Sequence, residues 1–111
     1  MAERNLQHEI RLALGTDTRV VLFRNTTGFY KHEGRSISYG VGGPGGADLL
    51  GMLSPSGRFV ALEIKTDRGQ LTDDQERFLN LVRRRGGFAT VVRSVDDARA
   101  AIDRACSGAS E

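Results

Sequence analysis

The fold is decided by residues 46–65, which read GADLLGMLSPSGRFVALEIK. Two apolar runs, predicted as strands over residues 47–53 and 58–65, flank the four residues Ser54–Gly57. Ser first, Pro second and Gly fourth in such a segment are typical of a type I turn. The stretch therefore predicts a β-hairpin in which the numbers of directly opposed residues sum to 111.

This register places Asp48 opposite Glu63, and strand alternation puts Lys65 on the same face as Glu63. Opposed carboxylates destabilise a sheet, and buried charges need a partner or a metal. Mg²⁺ prefers such oxygen ligands, together with waters and a substrate phosphate. A salt-bridge cluster is the other interpretation, but it leaves negative charge uncompensated. The hairpin therefore predicts a divalent-cation site.

Lys65 is a candidate catalytic residue beside such a cation. The chain contains 14 arginines and only two lysines, Lys31 and Lys65. A buried ammonium can lose its proton, which a guanidinium cannot. Lys65 could thus position or deprotonate an attacking water, or stabilise developing charge, while the metal lowers the pKa of that water.

Around the hairpin the sequence predicts one α/β domain. Helices are predicted over residues 3–14, 72–85 and 95–106, and further strands over 19–25, 36–39 and 88–93. Residues 26–35 read as a turn region, and 40–46 as a loop that is flexible or closely packed. The elements predict a single mixed sheet flanked by helices, in the order α-β-β-β-α-β-α with 36–39 as an additional short strand. The domain spans residues 1–106, and 107–111 form a flexible tail.

Helix ends are marked by caps. Gly15 fits a C′ residue, Thr72-Asp73-Asp74-Gln75 is a capping box, Gly86 and Gly87 follow the second helix, and Ser94 caps the third.

Two helical polar residues are predicted to face inward. Glu9 lies within an apolar arc, and Gln75 lies on the stripe of Phe78, Leu79 and Val82. The arc consists of Leu6, Ile10, Leu12, Ala13 and Leu14. Both residues can line the cleft of the acidic pair. Alternatively, Glu9 is a solvated helix-edge residue and Gln75 serves the capping box alone.

Composition narrows the functional classes. The net charge of +2 permits a nucleic-acid partner without requiring one. One cysteine, Cys106, excludes an internal disulfide and a Cys-rich zinc site. No apolar run is long enough to span a membrane, and the polar N-terminus is unlike a secretory signal, so we expect a cytoplasmic protein. Gly40–Gly45 matches G-x-G-x-x-G by letter but lacks the βαβ context, so we expect no nucleotide cofactor.

Basic residues offer candidate DNA contacts. Arg83, Arg84 and Arg85 form either a DNA-binding patch or the basic end of a helix. Lys31 and Arg35 belong to a basic loop that either meets phosphates or is plain surface, and Arg68 is a further candidate.

Together these segments resemble the virus-type replication–repair nuclease (VRR-NUC) family of the PD-(D/E)xK nuclease superfamily. The resemblance rests on the order and spacing of Arg24-Asn25-Thr26-Thr27-Gly28, Tyr39-Gly40, Gly46-Ala47-Asp48-Leu49-Leu50-Gly51, Glu63-Ile64-Lys65-Thr66, Gln75 with Phe78, Gly86-Gly87 and Val91-Val92-Arg93. Ala47 stands where many members of the superfamily have proline. The resemblance implies a restriction-endonuclease-like fold.

It also implies residue roles. Asp48 and Glu63 would be metal ligands with the backbone carbonyl of Ile64, and Lys65 would be the catalytic lysine. Glu9 would match the helical glutamate near the metal, and Gln75 the glutamine of the following helix.

The implied activity is Mg²⁺- or Mn²⁺-dependent cleavage of DNA, on branched substrates such as four-way (Holliday) junctions, by a homodimer in a bacterial or phage-infected cell. A catalytically silent nucleic-acid-binding module with the same fold is the alternative. The residues do not separate DNA from RNA.

Overall fold

A computed structural model describes residues 2–111 of the protein. The elements along the described chain are α1 (Glu3–Leu14), β1 (Val20–Arg24), β2 (Gly28–His32), β3 (Arg35–Tyr39), β4 (Leu49–Leu53), β5 (Phe59–Ile64), α2 (Asp73–Arg84), β6 (Phe88–Val92) and α3 (Val95–Cys106). All three predicted helices are confirmed to within one residue at each end. Thr72 and Gln75 make both hydrogen bonds of the capping box, and Ser94 caps α3. Gly15 ends α1 in the right-handed region, at φ −63°, and not in the left-handed geometry of a C′ glycine.

The central sheet has four strands in the order β1-β4-β5-β6. β4 is antiparallel to both of its neighbours, while β5 and β6 are parallel. This confirms the mixed α/β sheet flanked by helices. The expectation of a single sheet was wrong, because β2 and β3 form a separate two-stranded sheet.

The β4–β5 hairpin has the predicted register, since Leu49 pairs with Leu62 and Gly51 with Val60. The predicted type I turn was wrong. The Gly57 N–H donates to the Leu53 carbonyl at 2.8 Å, and the Ser54–Pro55 peptide bond is cis. The wider loop keeps the register because it is still centred between the same two residues.

Different helices cover the two faces of the central sheet. Val60, Leu62 and Ile64 of β5 face α1 and α3 and are almost fully buried. Ala61 faces the opposite side, where Leu79 and Val82 of α2 pack on it. Burial of each large aliphatic side chain stabilises the fold by about 1.5–3 kcal/mol. Glu63 and Lys65 therefore lie on the α2 side, by alternation.

The segment predicted as a turn region contains β2 and forms a hairpin with β3. Its two-residue loop consists of Glu33 and Gly34, which both have positive φ, at 51° and 76°. Positive φ at both central residues defines the I′ turn that matches strand twist. The Glu-Gly pair was not recognised as a turn because Asn and Asp are the residues usual at the first position.

The glycine-rich loop 40–46 is closely packed. Gly42 has φ 87°, and a Cβ there would lie 2.6 Å from the Phe78 ring. A Cβ on Gly46 would collide with the Val41 carbonyl. The glycines therefore allow close approach of the loop to α2 and to itself.

The C-terminal residues contact the open edge of the sheet. The Ala89 N–H donates to the Ser110 carbonyl at 2.9 Å, and Glu111 pairs with Arg104 at 3.1 Å. Arg58 donates to the Gly86, Gly87 and Ala105 carbonyls, which lie where α2 and α3 end. Within residues 2–111 no helix combines the length and apolarity that crossing a membrane requires.

Candidate active site

Asp48 and Glu63 lie side by side at one end of the central sheet. Asp48 precedes β4 by one residue, one step beyond the Leu49–Leu62 pair. Its Oδ2 accepts a hydrogen bond from the Ile64 N–H at 2.8 Å, and its carbonyl accepts one from Asn25 N–H. The predicted pairing of the two carboxylates is confirmed, and backbone groups of two neighbouring segments hold Asp48 in place.

Glu63 is a buried carboxylate with incomplete hydrogen bonding. Its exposed fraction is 3%, and Oε2 has no hydrogen-bond partner among the described residues. Burial, followed by the charge of Asp48, raises the pKa of Glu63 to about 8, although Lys65 acts in the opposite direction. A hydrogen bond with Asp48 also favours the protonated form. Burial and the neighbouring carboxylate therefore favour the protonated form of Glu63 more than Lys65 opposes it.

Lys65 follows β5 directly and is 8% exposed. Its backbone N–H donates to the Val92 carbonyl at 3.1 Å, which extends the parallel pairing with β6 by one residue. The aliphatic part of its side chain lies against Gly69, where a Cβ would come within 3.1 Å of Lys65 Cδ. The loop that follows β5 thus holds the Lys65 side chain beside Glu63.

These residues fit a hard divalent cation. Oε2 of Glu63 has no hydrogen-bond partner among the described residues, and its neighbour Asp48 supplies a second carboxylate. Asp48 and Ile64 line one cavity at this end of the sheet. Because the Ile64 side chain packs in the core, its backbone is the part that can face this cavity. Across residues 2–111 no three His, Cys, Asp or Glu side chains are clustered as a ready metal cage. A site with two carboxylates is typical of Mg²⁺, which is held by one or two carboxylates plus waters and substrate oxygens.

The structure brings Glu3, and not Glu9, to the carboxylate pair. Glu3 lines the cavity at Asp48, and its charge contributes to the raised pKa of Glu63. Glu9 is exposed and lines a different cavity of about 370 Å³, together with Asp67, Arg93 and the first residues of α3.

Helix orientation explains this difference. The predicted arc of α1 included Leu12, which is 64% exposed, so that part of the prediction was wrong. The buried residues are Leu6, Ile10 and Leu14. At about 100° per residue, Glu3 falls between Ile10 and Leu14, whereas Glu9 falls outside the arc. The signal was present in the sequence, but only packing shows which leucines are buried.

Gln75 makes the capping box of α2. Its Oε1 accepts from Thr72 N–H at 3.0 Å, and its own N–H donates to the Thr72 hydroxyl. The side chain is half-buried. The box accounts for this oxygen, and a role in chemistry stays a prediction.

The predicted DNA contacts lie in three places. Arg68 is exposed in the loop after Lys65, and Lys31 and Arg35 are exposed on the β2–β3 hairpin. Arg83 donates to the Ala89 carbonyl and to Asn80. Arg84 and Arg85 lie at the end of α2 remote from Lys65, because α2 runs back along β5 for 12 residues, or about 18 Å. The structure therefore separates them from the acidic pair.

Sequence reasoning missed other residues of this cavity, namely Arg4, Gln7 and Arg24. Gln7 Nε2 donates to the Asp48 carbonyl at 3.4 Å. A spacing of four between Glu3 and Gln7 puts both on one helix face, which was the available signal.

The fold and the carboxylate–lysine cluster define a nuclease-type domain. A profile of the VRR-NUC domain family matches residues 31–96, more than half of the chain, and the protein belongs to this family. A solved structure described as a VRR_NUC domain is similar, with 24% identity and a TM-score of 0.61 over 91% of this chain and 94% of that one. This likeness supports the restriction-endonuclease-like fold. No curated protein matches the sequence.

Proposed function

We propose that the protein is a metal-dependent endonuclease that hydrolyses DNA phosphodiester bonds. The observation that carries this proposal is the pair formed by Asp48 and Glu63, with Oε2 of Glu63 buried and unpartnered. Burial and the charge of Asp48 disfavour the ionised form of Glu63, and binding of Mg²⁺ or Mn²⁺ would offset both effects. The bound ion would polarise the phosphate and lower the pKa of an attacking water.

The chain's own residues supply the remaining functions. Asp48 and Glu63 would hold the ion with the Ile64 carbonyl, and the Ile64 N–H keeps Asp48 oriented through a hydrogen bond of 2.8 Å. Lys65 orients the attacking water or stabilises the charge that develops on the phosphate. Glu3 lies in the same cavity as Asp48 and adds a carboxylate at its rim.

Exposed aromatic rings support branched DNA as the substrate. On the β2–β3 hairpin, Tyr30 and Tyr39 are about half exposed, with ring centroids 6.3 Å apart. Pairing places His32 and Arg35 further along the same face. Aromatic rings stack on exposed base faces, which a branch point offers where its arms unstack and a continuous duplex does not.

Asn25 links this hairpin to the site. Its side-chain nitrogen donates to the Val41 and Ala47 carbonyls, and its side-chain oxygen accepts from the Val41 N–H. The backbone N–H of Asn25 donates to the Asp48 carbonyl. The hairpin thus has a fixed attachment next to Asp48. We expect Tyr30→Ala with Tyr39→Ala to lose the preference for four-way over linear DNA, and the matched Phe variants to keep it.

A homodimer is supported by an apolar row on the uncovered half of the sheet. Val21, Met52 and Phe59 are direct neighbours across β1, β4 and β5, and each is more than 40% exposed. A second copy could bury this row, and two sites would then face a junction of two-fold symmetry. Met52→Lys should yield monomers in sedimentation at micromolar concentration, whereas Leu12→Lys, on an exposed leucine away from the row, should not.

The central test is cleavage of four-way and linear DNA with Mn²⁺, with Mg²⁺ and with EDTA. We expect the wild type to cleave DNA only when metal is present. Lys65→Ala should lose this cleavage. Arg99→Ala should retain it, because Arg99 lies on α3 and pairs with Asp96 there. Metal-independent cutting or full activity of Lys65→Ala would contradict the mechanism. Binding without any cleavage would favour the silent-module alternative.

A further inference from the structure

A basic cleft adjoins the acidic pair. The cavity at Asp48, about 140 Å³, is lined by Glu3, Arg4, Gln7, Arg24, Asp48 and Ile64. A second cavity of about 250 Å³ is lined by Arg4, Asn5, Gln7, His8, Arg11 and Arg24. We call this second cavity the α1 cleft. Arg4, Gln7 and Arg24 line both cavities, so the α1 cleft adjoins the cavity at Asp48 and extends from it along α1.

The α1 cleft contains only neutral and basic side chains. Its three arginines, Arg4, Arg11 and Arg24, are exposed and have no carboxylate within 4 Å among residues 2–111. By contrast, Arg19 and Arg104 are paired with acidic residues. Unpaired guanidinium groups that line one concave surface favour an anionic ligand.

The helix arranges Arg4 and Arg11 in a row with His8 between them. With Leu6, Ile10 and Leu14 facing the core, Arg4, His8 and Arg11 fall on one flank of α1 at about 100° per residue. Arg4 and Arg11 are separated by about 10 Å along the axis. This length corresponds to roughly three nucleotides of duplex rise. Arg24, at the end of β1, also lines the cleft.

We infer that the α1 cleft binds the phosphodiester backbone on one side of the bond that is cut, through Arg4, Arg11 and Arg24. The inference rests on the proposed function and adds to it the path of the strand. Arg4 and Arg24 line both cavities, so they contact the phosphate next to the reacting one, and Arg11 contacts one further away. Guanidinium forks grip phosphate oxygens without reading bases, so this contact is independent of sequence.

The test is metal-free binding of a labelled four-way junction, measured by fluorescence anisotropy in EDTA over a series of salt concentrations. Arg11→Ala and Arg24→Ala should each weaken binding by roughly tenfold. Each should also reduce the log–log salt slope by about 0.9. Arg24→Lys should keep the slope, because the charge and not a fold contact is responsible. Arg99→Ala is the matched surface control and should leave both quantities unchanged.

Two outcomes would overturn the inference. One is a double variant Arg11→Ala/Arg24→Ala that binds the junction with the affinity and salt slope of the wild type. This outcome would be decisive if Arg84→Ala/Arg85→Ala lowered both the affinity and the slope. The other is a wild type that binds no DNA. Weakened binding by the cleft variants supports the inference even where the wild type fails to cut with Mn²⁺, a result that would count only against the proposed nuclease activity.

Discussion

The two hairpins of the protein are both antiparallel strand pairs, but they differ in how deeply they are buried. β4 and β5 lie in the middle of the sheet, and Leu49 and Leu62 on them are fully buried. β2 and β3 form a sheet of their own, with Phe29 59% exposed and Tyr30 53% exposed. An isolated two-stranded hairpin is marginally stable in water. The buried hairpin can therefore hold charges in costly positions, whereas the exposed one keeps its rings available to a partner.

The largest expected effect is on the chemistry of the buried hairpin. Asp48→Asn removes the charge of a proposed metal ligand, while an amide oxygen can still accept from the Ile64 N–H. We expect cleavage to fall by about a thousandfold or more, with thermal stability retained. Unchanged cleavage in a gel assay with Mn²⁺ would show that the carboxylate is not a ligand.

The next effect separates the hairpins by stability. Leu62→Ala leaves a cavity at a fully buried site and should cost about 3 kcal/mol in the free energy of unfolding. Phe29→Ala on the exposed hairpin should cost less than about 0.5 kcal/mol. Urea denaturation measures both. Similar losses would mean that the β2–β3 hairpin is packed more tightly than its exposure indicates.

The raised pKa of Glu63 predicts a pH dependence of the metal-free protein. With a folded pKa of about 8 against an ordinary value of 4.5, the folded state holds this proton more strongly than the unfolded state. The stability associated with it is full below about pH 4.5 and is lost as pH rises towards 8. Between pH 5 and pH 8 the midpoint of thermal unfolding should fall further in the wild type than in Glu63→Gln, by about 4 °C or more.

A divalent cation sharpens this result. Added Mg²⁺ or Mn²⁺ at pH 8 should raise the midpoint of the wild type, because the cation stabilises the ionised pair. It should have little effect on Glu63→Gln. Parallel pH profiles of the two proteins would contradict the burial argument.

The last prediction concerns the attachment of the exposed hairpin. Asn25→Ala removes the side-chain hydrogen bonds to Val41 and Ala47 and should cost about 1–2 kcal/mol. Amide exchange should rise in β2 and β3 and stay slow in β5. Equal exchange in both hairpins would show that Asn25 does not set the difference.

The positions of Asp48, Glu63 and Lys65 were predictable from the sequence. A turn marked by Pro and Gly centres the hairpin, and the period of two then assigns every opposed pair. The register follows from the position of the loop and not from its type, so it survived the wrong turn assignment. Helix bounds were equally accessible, because capping residues act locally.

Tertiary structure alone decided which side chains join that pair. The rotation of α1 depends on which leucines the sheet and α3 bury, and an exposed Leu12 shifts the buried arc from Glu9 towards Glu3. The same packing brings Arg4 of α1 and Arg24 of β1 to one cleft. Local patterns carry the geometry of a turn or a cap, whereas the meeting of residues distant in sequence is set by the burial of the whole core.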